Sequence, residues 1–550
     1  MDSRRRTVAE LVAGRWGDHR PGLWFEGRAL THHEVAAGAA ARAALLADLL
    51  PGPGAHIGVL LDNTPEFPMW LSAAALARAA VAGINPTRRG PELARDILHT
   101  ECRLLITEPS RLPLLRGLDL PGVRLLVTGS EEYDTLLAPY AGAEPDASRA
   151  TPADRLLLYF TSGSTGAPKA ALCSQGRLAA AGRSLADQFR LGPDGVHYIC
   201  MPMFHGNAVI ADWAPALATG AGVALRRRFS ASEFLADVRA YRATYFTYVG
   251  RAIQYVLATE PREDDRDNPL RLGFGTEAGA VDAAAFERRF GVRLVEGYGS
   301  SEGGAAIQWV PGTPPGAVGR SAPGLVVLDR ETGRERPPAR FDAAGRLLNG
   351  EEAIGELVNR APNPFEGYWR NPEADAERRR DGWYWTGDLF YRDAEGYLYF
   401  AGRTDDRIRV DSENLAAAMI ENILARYEGA EAVAVYAVPD PVTGDQVMAT
   451  IAGTFDPVAF AAFLAAQPDL GTKMAPRYVR VVDHMPVTAT NKINRAQLRK
   501  EGLNCTDPVW WRGPGEETYR SRPPKDAEGP FAPTKGPSPV RRQGLEPRTR

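Results

Sequence analysis

Short, nearly all-apolar runs alternate with helical stretches from about Ala55 to Gly299, and this alternation limits the fold more than any other feature of the chain. The runs are His56 to Leu61, Arg103 to Thr107, Arg124 to Thr128, Leu156 to Thr161, His197 to Met201, Gly222 to Leu225 and Tyr245 to Val249. A strand that is apolar on both faces must be covered on both, which predicts βα units and largely parallel sheets between layers of helices. The fold class is therefore α/β. In such bodies ligands sit beyond the carboxyl ends of strands, so the loops that follow strands are where chemistry is expected.

At 550 residues the chain exceeds the roughly 250–300 at which one core stops growing, so several domains are expected. Around Gly355 to Phe400 the texture changes to short segments punctuated by glycines and aromatics, which predicts the hairpins of a β subdomain. Beyond Gly402-Arg403-Thr404-Asp405-Asp406 the pattern predicts a helix from about Glu413 to Arg426, then strands near Ala432 to Val438 and Val447 to Ala452. A helix from Pro457 to Ala466 and a strand from Tyr478 to Val482 complete a small α+β unit. The expected division is a large N-terminal domain at 1–404, a small mobile C-terminal lid at 405–520 and a tail at 521–550. The tail has prolines, glycines and charges but few aliphatic residues, so it lacks the burial needed to offset its ordering entropy.

Composition removes several classes of function. A formal charge of −3 gives no general attraction to nucleic acid. Cys102, Cys173, Cys200 and Cys505 stand far apart without a CxxC pair, which indicates neither a disulfide framework nor a zinc cluster and fits a reducing compartment. No secretion signal is visible, since Thr7 to Leu11 begins an amphipathic helix. The most apolar long run, Met69 to Ile84, falls short of the roughly 20 residues that cross a bilayer and is expected to be a buried helix. Arg226-Arg227-Arg228 is expected to be solvated, with contact to a membrane surface the other reading.

The most informative segment is Thr161-Ser162-Gly163-Ser164-Thr165-Gly166-Ala167-Pro168-Lys169, which follows the strand Leu156 to Phe160. Glycines let the backbone turn its N–H groups inward, and the hydroxyls and lysine add donors and positive charge, a combination suited to a polyphosphate. The Walker pattern is absent because Pro168 precedes the lysine and neither Ser nor Thr follows it. Gly273-Phe274-Gly275 and Gly297-Tyr298-Gly299 do not continue as GxGxxG, so a dinucleotide fingerprint is not supported.

The loop resembles the signature TSGTTGxPKG of the adenylate-forming, or AMP-binding, superfamily, with departures at Ser164 and Ala170. Further segments resemble later elements of that family in the same order. In Tyr298-Gly299-Ser300-Ser301-Glu302 the resemblance implies that Tyr298 stacks on adenine and Glu302 helps hold Mg2+. In Trp385-Thr386-Gly387-Asp388 it implies that Asp388 accepts from the ribose hydroxyls. Arg403 is implied to meet ribose and phosphate, Asp405 to be the hinge, and Lys492, in Pro486 to Arg495, to reach the reacting carboxylate and α-phosphate. The implied nucleotide site comprises Thr161, Ser162, Gly163, Ser164, Thr165, Gly166, Lys169, Gly275, Thr276, Glu277, Tyr298, Gly299, Ser301, Asp388 and Arg403, with Lys492, Glu302 and Lys169 catalytic.

Pro202-Met203-Phe204-His205-Gly206 resembles PLYHxxG of the fatty-acid enzymes, so His205 is implied to line the acyl site with Tyr248 and Gly273. Longer stretches resemble the very-long-chain acyl-CoA synthetase or fatty acid transport protein branch, and actinobacterial fatty-acyl-CoA ligases in particular. Ser412-Glu413 stands where that branch has Gly-Glu beside the pantetheine passage, so a side chain at Ser412 could narrow the coenzyme A path. The resemblance implies an ATP- and Mg2+-dependent ligase that forms acyl-AMP and then an acyl-CoA thioester from a long- or very-long-chain fatty acid. Two alternatives remain: an enzyme that stops at the adenylate or loads a carrier protein, and a lipid-binding or uptake protein with a vestigial nucleotide site. The expected compartment is cytoplasmic, with peripheral contact at the inner face of a membrane and oligomerisation left open.

Overall fold

The computed structural model describes residues 6–522, apart from 161–168, 300–301, 344, 362–364, 411–412, 441–443, 472, 489–491 and 514. Two large sheets carry the first half of the chain. One has the strand order Arg293–Glu296, Leu272–Thr276, Tyr245–Val249, Val196–Ile199, Gly222–Leu225, Pro21–Phe25 and Arg28–Thr31. Its neighbours are parallel until the terminal hairpin Pro21–Phe25 with Arg28–Thr31. The other runs Arg124–Val127, Leu104–Thr107, His56–Leu60, Ala80–Gly83, Arg155–Phe160 and Ala170–Ser174, parallel except for the last pair. Ala170–Ser174 pairs antiparallel with Arg155–Phe160, and the stretch of sequence between them is shorter than the dozen or so residues that a parallel crossover needs.

All seven apolar runs singled out above lie in strands of these two sheets. The reading of Met69 to Ile84 as one helix is corrected. The helix Glu66–Leu76 stops there, the chain reverses through Arg78 at φ 56°, and Ala80–Gly83 enters the sheet as a fully buried strand. A short apolar segment packed on both faces carries no periodicity to separate strand from helix. Among the described residues no helix is long and apolar enough to cross a membrane.

The third sheet is antiparallel, in the order Gly319–Arg320, Tyr397–Arg403, Trp383–Arg392, Gly355–Asn359 and Leu325–Leu328, and forms the expected β subdomain. The C-terminal unit is built on Glu413–Ala416, Arg407–Val410, Gly444–Gly453, Tyr478–Val482, Val509–Trp511 and Arg520–Ser521, with Ala430–Asp440 paired to Gly444–Gly453. It has its own core, including Ile408, Ile420, Val435, Ile451, Phe460 and Val479. Here too an expected helix is shorter than read: Glu413–Ala416 is a strand paired with Arg407–Val410, and the helix is Ala417–Leu424. Ordered chain also continues past 520, because Arg520–Ser521 pairs with Val509–Trp511. The remainder of the expected tail, 523–550, lies outside the described residues.

The helix Ala280–Phe290 joins Leu272–Thr276 to Arg293–Glu296 and covers the sheet edge from which the site loops emerge. It is held by Phe286, 0% exposed, whose ring lies 6.3 Å from Phe234, 6.0 Å from Phe246 and 4.6 Å from Phe290. On the same helix Val281 is 72% exposed. Phe286→Ala is expected to cost about 3–5 kcal/mol through lost burial and the cavity left behind, and Val281→Ala less than about 0.5 kcal/mol. Denaturant midpoints of the two variants check this contrast.

Candidate active site

Asp388 is fixed before anything binds to it. It sits where Trp383–Arg392 leaves the turn at Gly387, whose φ of 72° suits glycine. The Gly387 N–H donates to Glu356 at 2.9 Å, the Thr386 hydroxyl to the Leu357 carbonyl at 2.8 Å, and the Asp388 N–H to the Thr386 hydroxyl at 3.1 Å. The Asp388 carboxylate accepts from the Tyr298 hydroxyl at 2.6 Å and lies 3.5 Å from the Arg403 guanidinium. Arg403 arrives by register, since Asp388 and Arg403 are direct partners across two antiparallel strands. Burial raises the Asp388 pKa although Arg403 and Tyr298 favour the charged form.

Glu302 is 7% exposed and accepts from the Tyr368 hydroxyl at 2.9 Å. Arg378 donates to the same tyrosine at 3.4 Å and also bonds the Thr386 carbonyl, tying this carboxylate to the Asp388 turn. Among the described residues no group of three or more His, Cys, Asp or Glu side chains could enclose a metal ion. One carboxylate without a protein cage is the donor set that suits magnesium shared with phosphates and water.

The next pair spans the two domains. The Lys492 ammonium lies 2.8 Å from Glu277, which follows the strand Leu272–Thr276. Burial opposes the charge of Glu277, but Lys492, then Arg495 and Arg403, hold its pKa below the ordinary value. For Arg403, burial is outweighed by Asp388, Glu302, Asp406 and Glu277, and its pKa rises. His205, just ahead of a π-helical turn at Val209–Trp213, is held at a pKa of about 4 by burial and then by the Lys492 charge. Its loop is pinned by Asn63, which bonds the Met201 carbonyl and the Met203 N–H at 2.9 Å each, and by the Tyr159 hydroxyl on the Met203 carbonyl at 3.0 Å. Residues 205, 277, 302, 388, 403 and 492 therefore lie within one electrostatic neighbourhood.

The remaining expected residues fall in several places. Lys169 pairs with Glu377 at 3.0 Å. Gly275 and Thr276 end the strand below Glu277, and a Cβ on Gly275 would stand 2.2 Å from the Tyr248 carbonyl. Gly299 shares a short strand with Tyr298. Tyr248 is 1% exposed, its hydroxyl given to Glu296 at 3.0 Å and the Val295 carbonyl at 3.1 Å. Gly273 is packed between Phe246 and Leu294 within the sheet. Asp405 lies in the turn Thr404–Asp406 between the β subdomain and the C-terminal unit, and Glu413 in the strand Glu413–Ala416. Thr161, Ser162, Gly163, Ser164, Thr165, Gly166, Ser301 and Ser412 lie outside the described residues.

Tyr368, Arg378, Glu296 and Glu377 were not singled out from sequence, because each acts through a neighbour rather than through a motif. The three arginines weighed as a membrane patch each have carboxylate partners: Arg226 with Asp237, Arg227 with Glu26 and Glu108, and Arg228 with Asp62. A cavity of about 520 Å3 bounded by Arg78, Asp154, Arg155, Ser174 and Glu366 contains none of the residues assigned to nucleotide.

Comparison with known proteins matches residues 10–369 to the AMP-binding enzyme family and residues 419–492 to the AMP-binding enzyme C-terminal domain. Steroid-22-oyl-CoA synthetase of Rhodococcus jostii is 49% identical over 94% of this chain and 95% of its own length. The medium/long-chain-fatty-acid–CoA ligase FadD17 of Mycobacterium tuberculosis is 45% identical over 92% and 98%. The anthranilate CoA ligase AuaEII with anthranoyl-AMP shares the fold at a TM-score of 0.79 and 21% identity, covering 90% of this chain and 97% of that one.

Two partly buried groups of opposite sign make stability depend on pH. The His205 pKa is lowered from 6.5 to about 4, so between those values the unfolded chain binds a proton the native chain does not, and stability falls as pH drops. Burial raises the Glu296 pKa from 4.5 to about 7, so the native chain holds the extra proton and stability falls as pH rises through that window. His205→Gln is expected to remove up to about 3 kcal/mol of the acid-side loss, and Glu296→Gln a comparable part of the loss toward neutrality. Unfolding free energies measured from pH 4 to 8 check both slopes.

Proposed function

Because the chain belongs to the AMP-binding enzyme family and is an AMP-forming acyl-CoA synthetase, we propose that it activates a large hydrophobic acid, a steroid-22-oic acid or a long-chain fatty acid, through an acyl-AMP intermediate. The observation that carries this reading is the meeting of Lys492, from the C-terminal domain, with the Glu277, Glu302, Asp388 and Arg403 cluster of the N-terminal domain. The acid class rests on the names and identities of the two relatives.

In the first step an oxygen of the acid's carboxylate attacks the α-phosphorus of ATP, forming an acyl–phosphate bond and releasing pyrophosphate. Two anions must meet, so alignment and charge neutralisation carry the catalysis rather than a protein nucleophile. Tyr298 packs against the adenine, Asp388 accepts from the ribose hydroxyls, and Arg403 spans ribose and phosphate. Lys169 and Lys492 face the phosphates and the reacting carboxylate. Magnesium held by Glu302 together with phosphate oxygens would neutralise charge on the polyphosphate. His205, neutral above pH 5, lines the acyl side without adding charge. The C-terminal domain then turns about Asp405, withdraws Lys492 and admits coenzyme A past residues 412–413. The thiol displaces AMP from the acyl carbon, giving the thioester. Serine at position 412 favours a second reading, an enzyme that stops at acyl-AMP.

The decisive assay scores AMP and acyl-CoA by mass across straight-chain acids from medium to very long and a steroid-22-oic acid. Lys492→Ala is expected to lose acid-dependent pyrophosphate release by about a hundred-fold or more, yet to convert preformed acyl-AMP and coenzyme A to thioester within a few-fold of the unchanged chain. Equal loss in both half-reactions would contradict the lysine's role, and AMP without acyl-CoA would establish the second reading.

A further inference from the structure

The turn that carries Glu277 is held in place more firmly than its length requires. Glu277 has φ 68°, a left-handed conformation that a residue with a side chain keeps only where its surroundings dictate it. The Glu277 N–H donates to one oxygen of Glu296 and the Ala278 N–H to the other, each at 2.8 Å. The Tyr248 hydroxyl donates to the same carboxylate at 3.0 Å. Room for the Glu277 carbonyl exists because residue 250 is glycine, where a Cβ would stand 1.6 Å away. A buried carboxylate, a phenol and a missing side chain thus cooperate to fix one peptide.

That peptide aims a charged side chain across the domain boundary. Of the three cations acting on Glu277, Arg495 makes two bonds to Glu421, at 2.8 and 3.0 Å, and Arg403 lies against Asp388. Lys492 meets Glu277 directly through a single hydrogen bond at 2.8 Å. Resting on the assignment of Lys492 to adenylation, we infer that Glu277 is a positioning residue: it is the counter-ion that orients Lys492 toward the site and yields it to the acid's carboxylate. An ammonium carries three donors on a flexible stem, so one carboxylate can replace another without losing the lysine's direction. Glu296, with Tyr248 and Gly250, keeps the counter-ion where the exchange can occur.

Glu277 is half exposed and its amide analogue preserves shape, so Glu277→Gln tests the role without threatening the fold. In the full-length enzyme alone, the rate at which an amine-acylating reagent modifies Lys492, relative to exposed Lys500, is expected to rise about three-fold in the variant. Acid-dependent pyrophosphate release is expected to fall about ten-fold in kcat, by more than the conversion of preformed acyl-AMP and coenzyme A to thioester falls. Glu277→Asp, which keeps the charge but loses one methylene of reach, is expected to resemble the Gln variant. An unchanged Lys492 to Lys500 ratio, an equal fall in both half-reactions, or full activity in the Asp variant would each overturn the inference. The modification assay needs no substrate. Failure of the unchanged chain to release AMP with any acid would overturn the functional reading while leaving the lysine measurement standing.

Discussion

Three carboxylates in this site are each held by a tyrosine hydroxyl: Asp388 by Tyr298, Glu302 by Tyr368 and Glu296 by Tyr248. A carboxylate in a water-poor setting has to be hydrogen-bonded, and the partner chosen decides what charge remains. An arginine would satisfy and also cancel it. A phenol satisfies one lone pair without bringing a charge of its own, because burial drives the pKa of Tyr298 well above its ordinary value, and those of Tyr368 and Tyr248 upward too. The tyrosines therefore act as neutral clamps. Asp388 also faces the Arg403 guanidinium, and Glu296 holds the Glu277 and Ala278 backbone.

Each clamp joins elements far apart in the chain, and the fold follows from that requirement. Tyr298 lies in a short strand pair just after the first parallel sheet, whereas Asp388 lies in the antiparallel subdomain. Tyr368 bridges residues on either side of that subdomain's first strands. Tyr248 and Glu296 end two strands of one parallel sheet, separated only by Leu272–Thr276. Parallel strands deliver their carboxyl ends to a common edge, and the antiparallel hairpin places Asp388 opposite Arg403 by register alone. Among the described residues the C-terminal unit meets this cluster through Lys492, with Arg495 behind it.

The α/β class, the β subdomain and the C-terminal unit were legible because both-faced apolar strands and aromatic hairpins leave periodic traces. The segments that hold Asp388, Arg403, Glu302 and Lys492 stand out as short ordered motifs, and the structure gathers these four side chains into one electrostatic neighbourhood. Ala80–Gly83 was hidden inside a longer apolar run, and Glu413–Ala416 inside an apparent helix, because pairing partners distant in sequence decide both. Tyr368, Glu296 and Glu377 were illegible for a different reason. Their importance lies in hydrogen bonds to residues between 18 and 208 positions away, and a lone Tyr or Glu has the same appearance on any surface.

The choice of cation separates fixed from exchangeable contacts. The sequence holds six lysines among its 65 lysine and arginine residues, and two of the six are Lys169 and Lys492. Arginine does the structural pairing: Arg78 grips Asp154 through two bonds of 2.9 Å, and Arg495 grips Glu421 in the same way. A planar fork that matches a carboxylate oxygen for oxygen is slow to give up its partner. Lys169 and Lys492 instead meet Glu377 and Glu277 through an ammonium, at 3.0 and 2.8 Å. A point charge on a flexible stem exchanges one anion for another with little reorganisation. In a chain this rich in arginine, lysine stands at the two positions that the proposed reaction assigns to phosphate and carboxylate.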